Sequence, residues 1–367
     1  MVNALTSVRF YLFLSIFVSH FFFIKKSQIG NFLFENFLYN GNFAVTFFFI
    51  LSGFCIVLGY SDKFQVLDFD KIKTFIMKRI IKIYPLYILT GFIGLIIAIV
   101  TKKVLWVKLC EFIFLYMTMI QSFLKNYSMF NSVAWFVSAI FLCYLLTPFV
   151  FYFLKKMAKV KSYLSIYLSI WIFLIIVSVL LSPPFLDIKF YSYFYHFPPI
   201  RFLQYFSGIL VGIFYKDYLV KVDIFESKKH LKNFLDVVLI VFLVGLYLFS
   251  FKMKPYELIF TQVVYIPVFS FSILYLCSRT SSILNEFLNN KVNIFLGSIS
   301  MECYLIHNLL IILFSKYLVK ILPINSICNI FFVATILLFG TIILSLIFKK
   351  LYSKVLEYFS QKAVRVN

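Results

Sequence analysis

Long apolar runs, separated by short segments that carry most of the lysines, make up nearly the whole chain. An α-helix needs roughly 20 mainly apolar residues to cross a bilayer. Eleven runs approach that length: 4–24, 41–60, 83–101, 105–122, 133–154, 163–182, 200–216, 232–251, 258–278, 293–315 and 327–348. The pattern predicts an all-α protein, a polytopic transmembrane helical bundle.

The positions of lysine and arginine predict which runs cross, because short cytoplasmic loops carry an excess of both residues. Segment 61–82 holds six of them, so we expect it to be cytoplasmic. If both 83–101 and 105–122 cross, three further basic stretches fall outside the cell, and if only one crosses, all three fall inside. These stretches are 155–161, 216–232 and 349–365. We therefore predict about ten crossings with both termini cytoplasmic. The run 105–122, which carries Lys108 and Glu111, is then re-entrant or interfacial.

The composition supports a membrane protein and argues against other classes. The chain is 63% hydrophobic and 13% charged, with a mean hydropathy of +0.97, whereas soluble domains carry about 25% charged residues. A net charge of +21 would suggest nucleic acid in a soluble protein, but loop lysines account for it here, so we expect no nucleic-acid partner. The sequence has no CxxC pair, HExxH motif or metal-ligand cluster, so we expect no bound metal. No linker divides the chain, which predicts one membrane domain, 1–350, and a short basic cytoplasmic tail, 351–367.

Two ionisable residues, Arg9 and His20, lie inside the first apolar run. Eleven residues along a helix correspond to about 16 Å and return to within roughly 20° of the starting direction, so both side chains share one face. Ionisable side chains are costly in hydrocarbon, and a pair on one face indicates a functional site. The alternative is that Arg9 snorkels to the cytoplasmic headgroups while His20 lies near the outer interface.

Several sequence patches occur in an order that is typical of one family. They are the arginine and histidine of the first run, then Gly41–Ile56 with its Ser52-Gly53 pair, Phe75–Leu89, Ala134–Pro148, Pro198–Gly212 and Gly297–His307. This set resembles the acyltransferase-3 family of integral membrane O-acyltransferases over about residues 4–350. The resemblance implies transfer of an acyl group from cytoplasmic acyl-coenzyme A, in the first instance acetyl-CoA, to a hydroxyl of a lipid-linked or surface glycan.

The resemblance also assigns roles to the charged residues. His20 would be the catalytic base, or the group that carries the acyl unit, because a histidine can accept a proton near pH 7. Arg9 would hold the coenzyme A diphosphate or polarise the thioester. Arg79 and Lys82 match a motif of two arginines three residues apart, which would bind the phosphates; Lys82 keeps the charge of the second arginine and loses its bidentate fork. A plain positive-inside loop is the alternative for this pair.

Four further residues are candidates for binding. Ser52 could contact the donor, although a Ser-Gly pair more often serves helix packing. On the acceptor side we place Trp135, His307 and Arg201, with Arg201 expected at the outer surface, either contacting the acceptor or acting as an interfacial anchor. Members of the family often have acidic residues at the positions of Gln204 and Ile140, which this chain lacks. His196, in an aromatic outer loop, fits either glycan stacking or an interfacial aromatic belt.

The sequence therefore predicts a membrane O-acetyltransferase of a bacterial cytoplasmic membrane that acts on a cell-surface or exported polysaccharide and contacts membrane lipids. One alternative is an exporter of a polysaccharide or its lipid-linked precursor, which should show inverted repeats with broken helices. No such repeat is visible in the sequence. A second alternative keeps the enzyme and replaces the acetyl group by succinyl.

Overall fold

The computed structural model describes residues 3–64, 66–100, 109–110, 112–124, 130–157, 160–182, 193–220, 229–256, 263–277, 282–319 and 324–364. This part of the chain is a bundle of α-helices. They are α1 (Asn3–Ser19), α2 (Gln28–Leu33), α3 (Asn42–Tyr60), α4 (Phe69–Val100), α5 (Trp135–Lys156), α6 (Val160–Leu180), α7 (Pro198–Phe214), α8 (Lys229–Ser250), α9 (Tyr265–Leu276), α10 (Ile283–Leu288), α11 (Lys291–Ser298), α12 (Ser300–Tyr317) and α13 (Ile327–Val364).

Seven helical stretches among the described residues are long and apolar enough to cross a membrane. They are Asn3–Lys26, Gln28–Phe64, Phe69–Val100, Ser132–Lys156, Ser162–Leu180, Lys229–Met253 and Ile327–Leu351. Helices α11 and α12 qualify as an eighth when taken together, although they meet at a 61° bend. The prediction of an all-α, multi-pass membrane protein is confirmed, while the count of about ten crossings and the cytoplasmic termini stay predictions.

The run 105–122 lies only partly within the described residues. Residues 101–108 and 111 lie outside the described part, so the re-entrant or interfacial interpretation stays a prediction. Residues 112–124 pack beside α4. The rings of Tyr87 and Tyr116 stack with their centres 4.3 Å apart, and the Tyr87 hydroxyl donates to the Tyr116 carbonyl at 2.8 Å. The boundary predicted between residues 350 and 351 falls inside α13.

Helices α3 and α7 cross in close contact at the centre of the bundle. A Cβ atom at Gly53 of α3 would lie 1.9 Å from the carbonyl oxygen of Tyr205, and one at Gly208 of α7 would lie 2.0 Å from the carbonyl oxygen of Ile50. Small residues on both helices therefore let the two backbones touch, as they do at tight helix pairs in membranes. Gly53 therefore serves the packing of α3 against α7.

Gly53→Ala is expected to destabilise the protein by about 1–3 kcal/mol, because the added methyl forces two backbones apart. The measurement is the thermal unfolding of the detergent-solubilised protein. The matched control is Gly245→Ala in α8, where an added Cβ meets nothing within 4 Å. That change should be neutral or stabilising by about 0.5–1 kcal/mol, since alanine favours the helix. Equal stability of the two variants would contradict this account of the α3–α7 crossing.

Helix α1 is held between the bundle and the bent α11–α12 pair. A Cβ at Gly297 of α11 would lie 2.0 Å from the Thr6 carbonyl oxygen, so these two helices also touch through their backbones. The Ser7 hydroxyl donates to the Leu288 carbonyl, and the Tyr11 hydroxyl donates to Asn293 Oδ1 at 2.8 Å. These contacts fix the rotation of α1 about its axis, and that rotation decides where its ionisable side chains point.

Candidate active site

Two cavities lie along α1, each lined by one of its ionisable side chains. The first, of about 300 Å³, is lined by Arg9 together with Arg79 and Lys82 of α4, and we name it the cationic cavity. The second, of about 160 Å³, is lined by His20 and His196, and we name it the histidine cavity. The side chains of Arg9 and His20, which the sequence predicts on one face of α1, thus line two neighbouring cavities.

Three cationic side chains converge on the cationic cavity. Among the described residues that line it there is no aspartate or glutamate. Arg9 Nη2 donates to the Cys55 Sγ atom of α3 at 3.4 Å, and Ser52, one turn earlier on α3, lines the same space. A cavity with three cations and no lining carboxylate is suited to an anion that carries several charges, such as a phosphate ester.

Arg79 is held in this cavity by aromatic rings. Its guanidinium carbon lies 4.7 Å from the ring centre of Tyr60, 5.2 Å from that of Phe75 and 5.4 Å from that of Tyr144. Its Nε atom is buried and has no hydrogen-bond partner among the described residues. Ring faces orient a guanidinium without occupying its N–H groups. The donors of Arg79 are therefore positioned for a ligand.

His20 stands just beyond the last residue of α1, and its hydrogen bonds fix which ring nitrogen holds the proton. Nδ1 lies 2.7 Å from the carbonyl oxygen of Ile16, one helical turn earlier. A carbonyl oxygen only accepts hydrogen bonds, so in the neutral ring Nδ1 carries the proton and Nε2 has the free lone pair. His20 is in this way prepared to accept a proton at Nε2 from a molecule in the histidine cavity.

His307 of α12 lies directly behind His20 and is fully buried. Its Nδ1 is 2.6 Å from the Tyr304 carbonyl oxygen, so Nδ1 carries the proton and Nε2 presents a lone pair. That Nε2 lies 3.5 Å from Nδ1 of His20, where it stands as a second acceptor beside the Ile16 carbonyl. His307 can therefore orient His20 and stabilise its protonated form, a task that a carboxylate performs in other acid–base pairs.

Aromatic side chains form another wall of the histidine cavity. Trp135, the first residue of α5, lines it together with Tyr195 and His196. The Trp135 and His196 rings meet edge to face with their centres 4.3 Å apart. Of the two alternatives for His196, the interfacial aromatic belt does not fit, since the side chain is 8% exposed and lines the cavity, and glycan stacking stays a prediction.

Arg201 lies behind this wall with its side chain fully buried, which argues against the interfacial anchor, while its place at the outer membrane surface stays a prediction. Its Nε donates to the Tyr195 carbonyl at 2.7 Å, and its Nη1 donates to Gln204 Oε1 at 2.8 Å. The guanidinium carbon also lies 4.1 Å from the centre of the Tyr195 ring and 5.6 Å from that of Trp135. Arg201 thus supports the aromatic wall from behind, through α7, and does not itself line the histidine cavity.

Gln204→Leu is expected to lower the free energy of unfolding by about 1.5–3 kcal/mol, because it removes a hydrogen-bond acceptor from a buried charge. Gln204→Glu should recover that stability, since a carboxylate can form a charge-assisted pair with Arg201. Thermal unfolding in detergent measures both variants. A Gln204→Leu protein as stable as the parent would show that Gln204 does not hold Arg201 in place.

The chain is similar to known acyltransferases. The family model described as "Acyltransferase domain", of the acyltransferase-3 type, matches residues 2–350. The chain belongs to the acyltransferase-3 family. It is similar to "Acyltransferase MdmB" of Streptomyces mycarofaciens, with 26% identity over 236 residues, which is 57% of this chain and 56% of that protein. The matched region thus spans little more than half of that relative's length. No solved structure matches the chain.

In this member of the acyltransferase-3 family, the residues that the sequence predicts for the site lie in two cavities and in a layer behind them. The structure brings Arg9, Ser52, Arg79 and Lys82 to one cavity, and His20 and Trp135 to the other. His307 and Arg201, expected to touch the acceptor, stand one layer behind the cavity surface. Sequence reasoning missed Tyr304, which lines both cavities although it lies within the patch that ends at His307.

Proposed function

We propose that the protein is a membrane O-acetyltransferase that moves the acetyl group of cytoplasmic acetyl-CoA to a hydroxyl of a cell-surface or exported glycan. The observation that carries the proposal is the placement of an anion-binding cavity and a proton-accepting histidine next to each other along α1. We assign the protein to a bacterial cytoplasmic membrane, with the basic segment 61–82 on the side of the donor.

The donor would occupy the cationic cavity. Coenzyme A carries a diphosphate and a 3′-phosphate, and Arg79 and Lys82, which belong to the basic segment 61–82, both line this cavity. A guanidinium held by ring faces offers its N–H groups to phosphate oxygens, and lysine adds charge. Arg9 lines the same cavity from α1, where it would bind the diphosphate or the thioester carbonyl.

The acceptor would enter the histidine cavity from the opposite end of the bundle. Ligand pockets commonly enclose roughly 300–1,000 Å³, and the histidine cavity holds about 160 Å³. It therefore has room for the reacting end of a larger acceptor. Its lining combines the Trp135 ring with polar side chains such as Asn42 and Ser132. An aromatic face beside hydrogen-bonding groups suits a hydroxylated sugar ring.

In the transfer step the acceptor oxygen attacks the thioester carbonyl carbon. The new C–O bond forms, the C–S bond breaks, and the hydroxyl proton passes to Nε2 of His20. The same proton then moves to the departing sulfur, so that coenzyme A leaves as a thiol and His20 returns to its neutral form. While His20 is protonated, its Nδ1–H is held by the Ile16 carbonyl and faces the lone pair of His307 Nε2.

The test is acyl transfer in isolated membranes that contain the protein, using acetyl-CoA labelled in the acetyl group. We expect label to accumulate in a glycan or glycolipid fraction, and to be released by mild alkali as an ester. Membranes without the protein are the control. Two results together would contradict the proposal and favour transport. The protein would move a glycan across the membrane of vesicles that contain no acyl-CoA, and no label would be transferred when donor and glycan are both present.

A further inference from the structure

One side chain separates the two cavities. Tyr304 of α12 is the residue that appears in the lining of both the cationic and the histidine cavity among the described residues. The side chain is 6% exposed and forms part of the wall of each cavity. A group that moves directly from one cavity to the other therefore passes next to this side chain.

The Tyr304 side chain contacts residues that line each of the two cavities. Its hydroxyl donates to the Val133 carbonyl oxygen at 2.8 Å, and Val133 lines the histidine cavity. Its ring centre lies 5.4 Å from that of Phe136, which lines the cationic cavity, and 5.8 Å from that of His307. The hydroxyl hydrogen bond and the two ring contacts hold the buried side chain between the two cavities.

The backbone of Tyr304 is restrained more firmly than its side chain. Its carbonyl accepts the Nδ1 hydrogen bond from His307, and its position within α12 fixes the amide group. A movement of the ring therefore leaves the His307–His20 pair in place. The backbone carbonyl of Tyr304 thus orients His307, which in turn contacts His20. The side chain of Tyr304 lies at the junction of the two cavities.

We infer that Tyr304 is a specificity-determining residue that separates the donor side from the acceptor side and limits the transferred acyl group to a small one. The inference rests on the proposed function. When the carbonyl carbon approaches His20, the rest of the acyl chain must lie at the junction or in the histidine cavity. The junction is filled by the Tyr304 ring, and the cavity also has to hold the acceptor hydroxyl. Short acyl groups fit these limits, and longer ones compete with the ring for space.

The first test measures the separation of the cavities and does not need acyl transfer. The native Cys55 thiol lines the cationic cavity and serves as the reporter. In sealed vesicles of known orientation, a membrane-impermeant thiol reagent is added on one face or the other, and modification of the Cys55 peptide is followed by mass spectrometry. We expect labelling of the parent protein only from the face of segment 61–82, and labelling of Tyr304→Ala from both faces.

Three variants make this test specific. Tyr304→Leu is a second removal of the ring that keeps an apolar side chain, in case the alanine variant does not fold. Tyr304→Phe keeps the ring and loses only the bond to Val133, so it should retain one-sided labelling. The control Tyr317→Ala removes a tyrosine from the same helix where the side chain is 48% exposed, and it should behave as the parent. One-sided labelling of folded Tyr304→Ala and Tyr304→Leu would overturn the inference.

The second test measures acyl-chain preference with acetyl-CoA, succinyl-CoA and hexanoyl-CoA as competing donors. Removing the ring should raise the rate with hexanoyl-CoA relative to acetyl-CoA by at least about 10-fold, a size typical of steric discrimination in a pocket. An unchanged preference in both ring-removal variants would overturn the size limit. If neither the parent nor any variant transfers an acyl group while the thiol labelling changes as expected, the proposed function is wrong, and so is the size limit. The separation of the two cavities by Tyr304 is then still supported.

Discussion

His20→Ala is expected to lower the rate of acyl transfer at saturating donor and acceptor by about 10²–10⁴-fold, the usual contribution of a positioned base. The loss follows from the removal of Nε2, the ring nitrogen that the Ile16 hydrogen bond leaves free to accept the acceptor proton. Binding of acetyl-CoA should change little, because the proposed donor site is the cationic cavity, which His20 does not line. Steady-state transfer of labelled acetyl groups and equilibrium binding of the donor measure the two quantities separately.

His230→Ala is the matched control for this change. His230 is exposed and lies near the start of α8, outside the lining of both cavities. The control should transfer at the rate of the parent, with equal amounts of inserted protein confirmed for both variants. A folded His20→Ala protein that transfers as fast as the parent would contradict the role of His20 and would indicate that another group is the base.

Arg79→Ala is expected to raise the KM for acetyl-CoA by about 10- to 100-fold, since a hydrogen bond to a charged group contributes about 1.5–3 kcal/mol. Its effect on kcat should be smaller, because in the proposed donor site the guanidinium would contact phosphates away from the reacting atoms. Arg79→Lys should recover part of the loss, as it keeps the charge and gives up the planar fork. Donor titrations at saturating acceptor give both constants.

Lys73→Ala removes the same charge from the exposed surface of α4 and serves as the control. If both variants raise the KM equally, the effect comes from the overall positive charge of the segment, and the defined site at Arg79 is wrong. If only Arg79→Ala raises it, the aromatic support of the guanidinium by Tyr60, Phe75 and Tyr144 accounts for the difference. Removing one of these rings should then weaken donor binding in the same direction.

The sequence by itself determined the class of fold and the composition of most of the site. Apolar runs of membrane-spanning length report on local hydrophobicity, which does not depend on tertiary packing. Helical periodicity is equally local, so Arg9 and His20 could be placed on one face, and Arg79 and Lys82 on another, before any contact was known. The order of the patches in the chain was sufficient to indicate the family.

Only the tertiary structure decided how these faces combine. The backbone contacts at Gly53, Gly208 and Gly297 set the rotation and spacing of the helices, and sequence spacing does not encode which helices touch. The 61° bend between α11 and α12 is likewise visible only in the three-dimensional structure. These contacts bury Arg201 behind an aromatic wall and place His307 behind His20. They also insert Tyr304 between two cavities, because the position of a side chain between helices depends on three-dimensional neighbours that lie far apart in sequence.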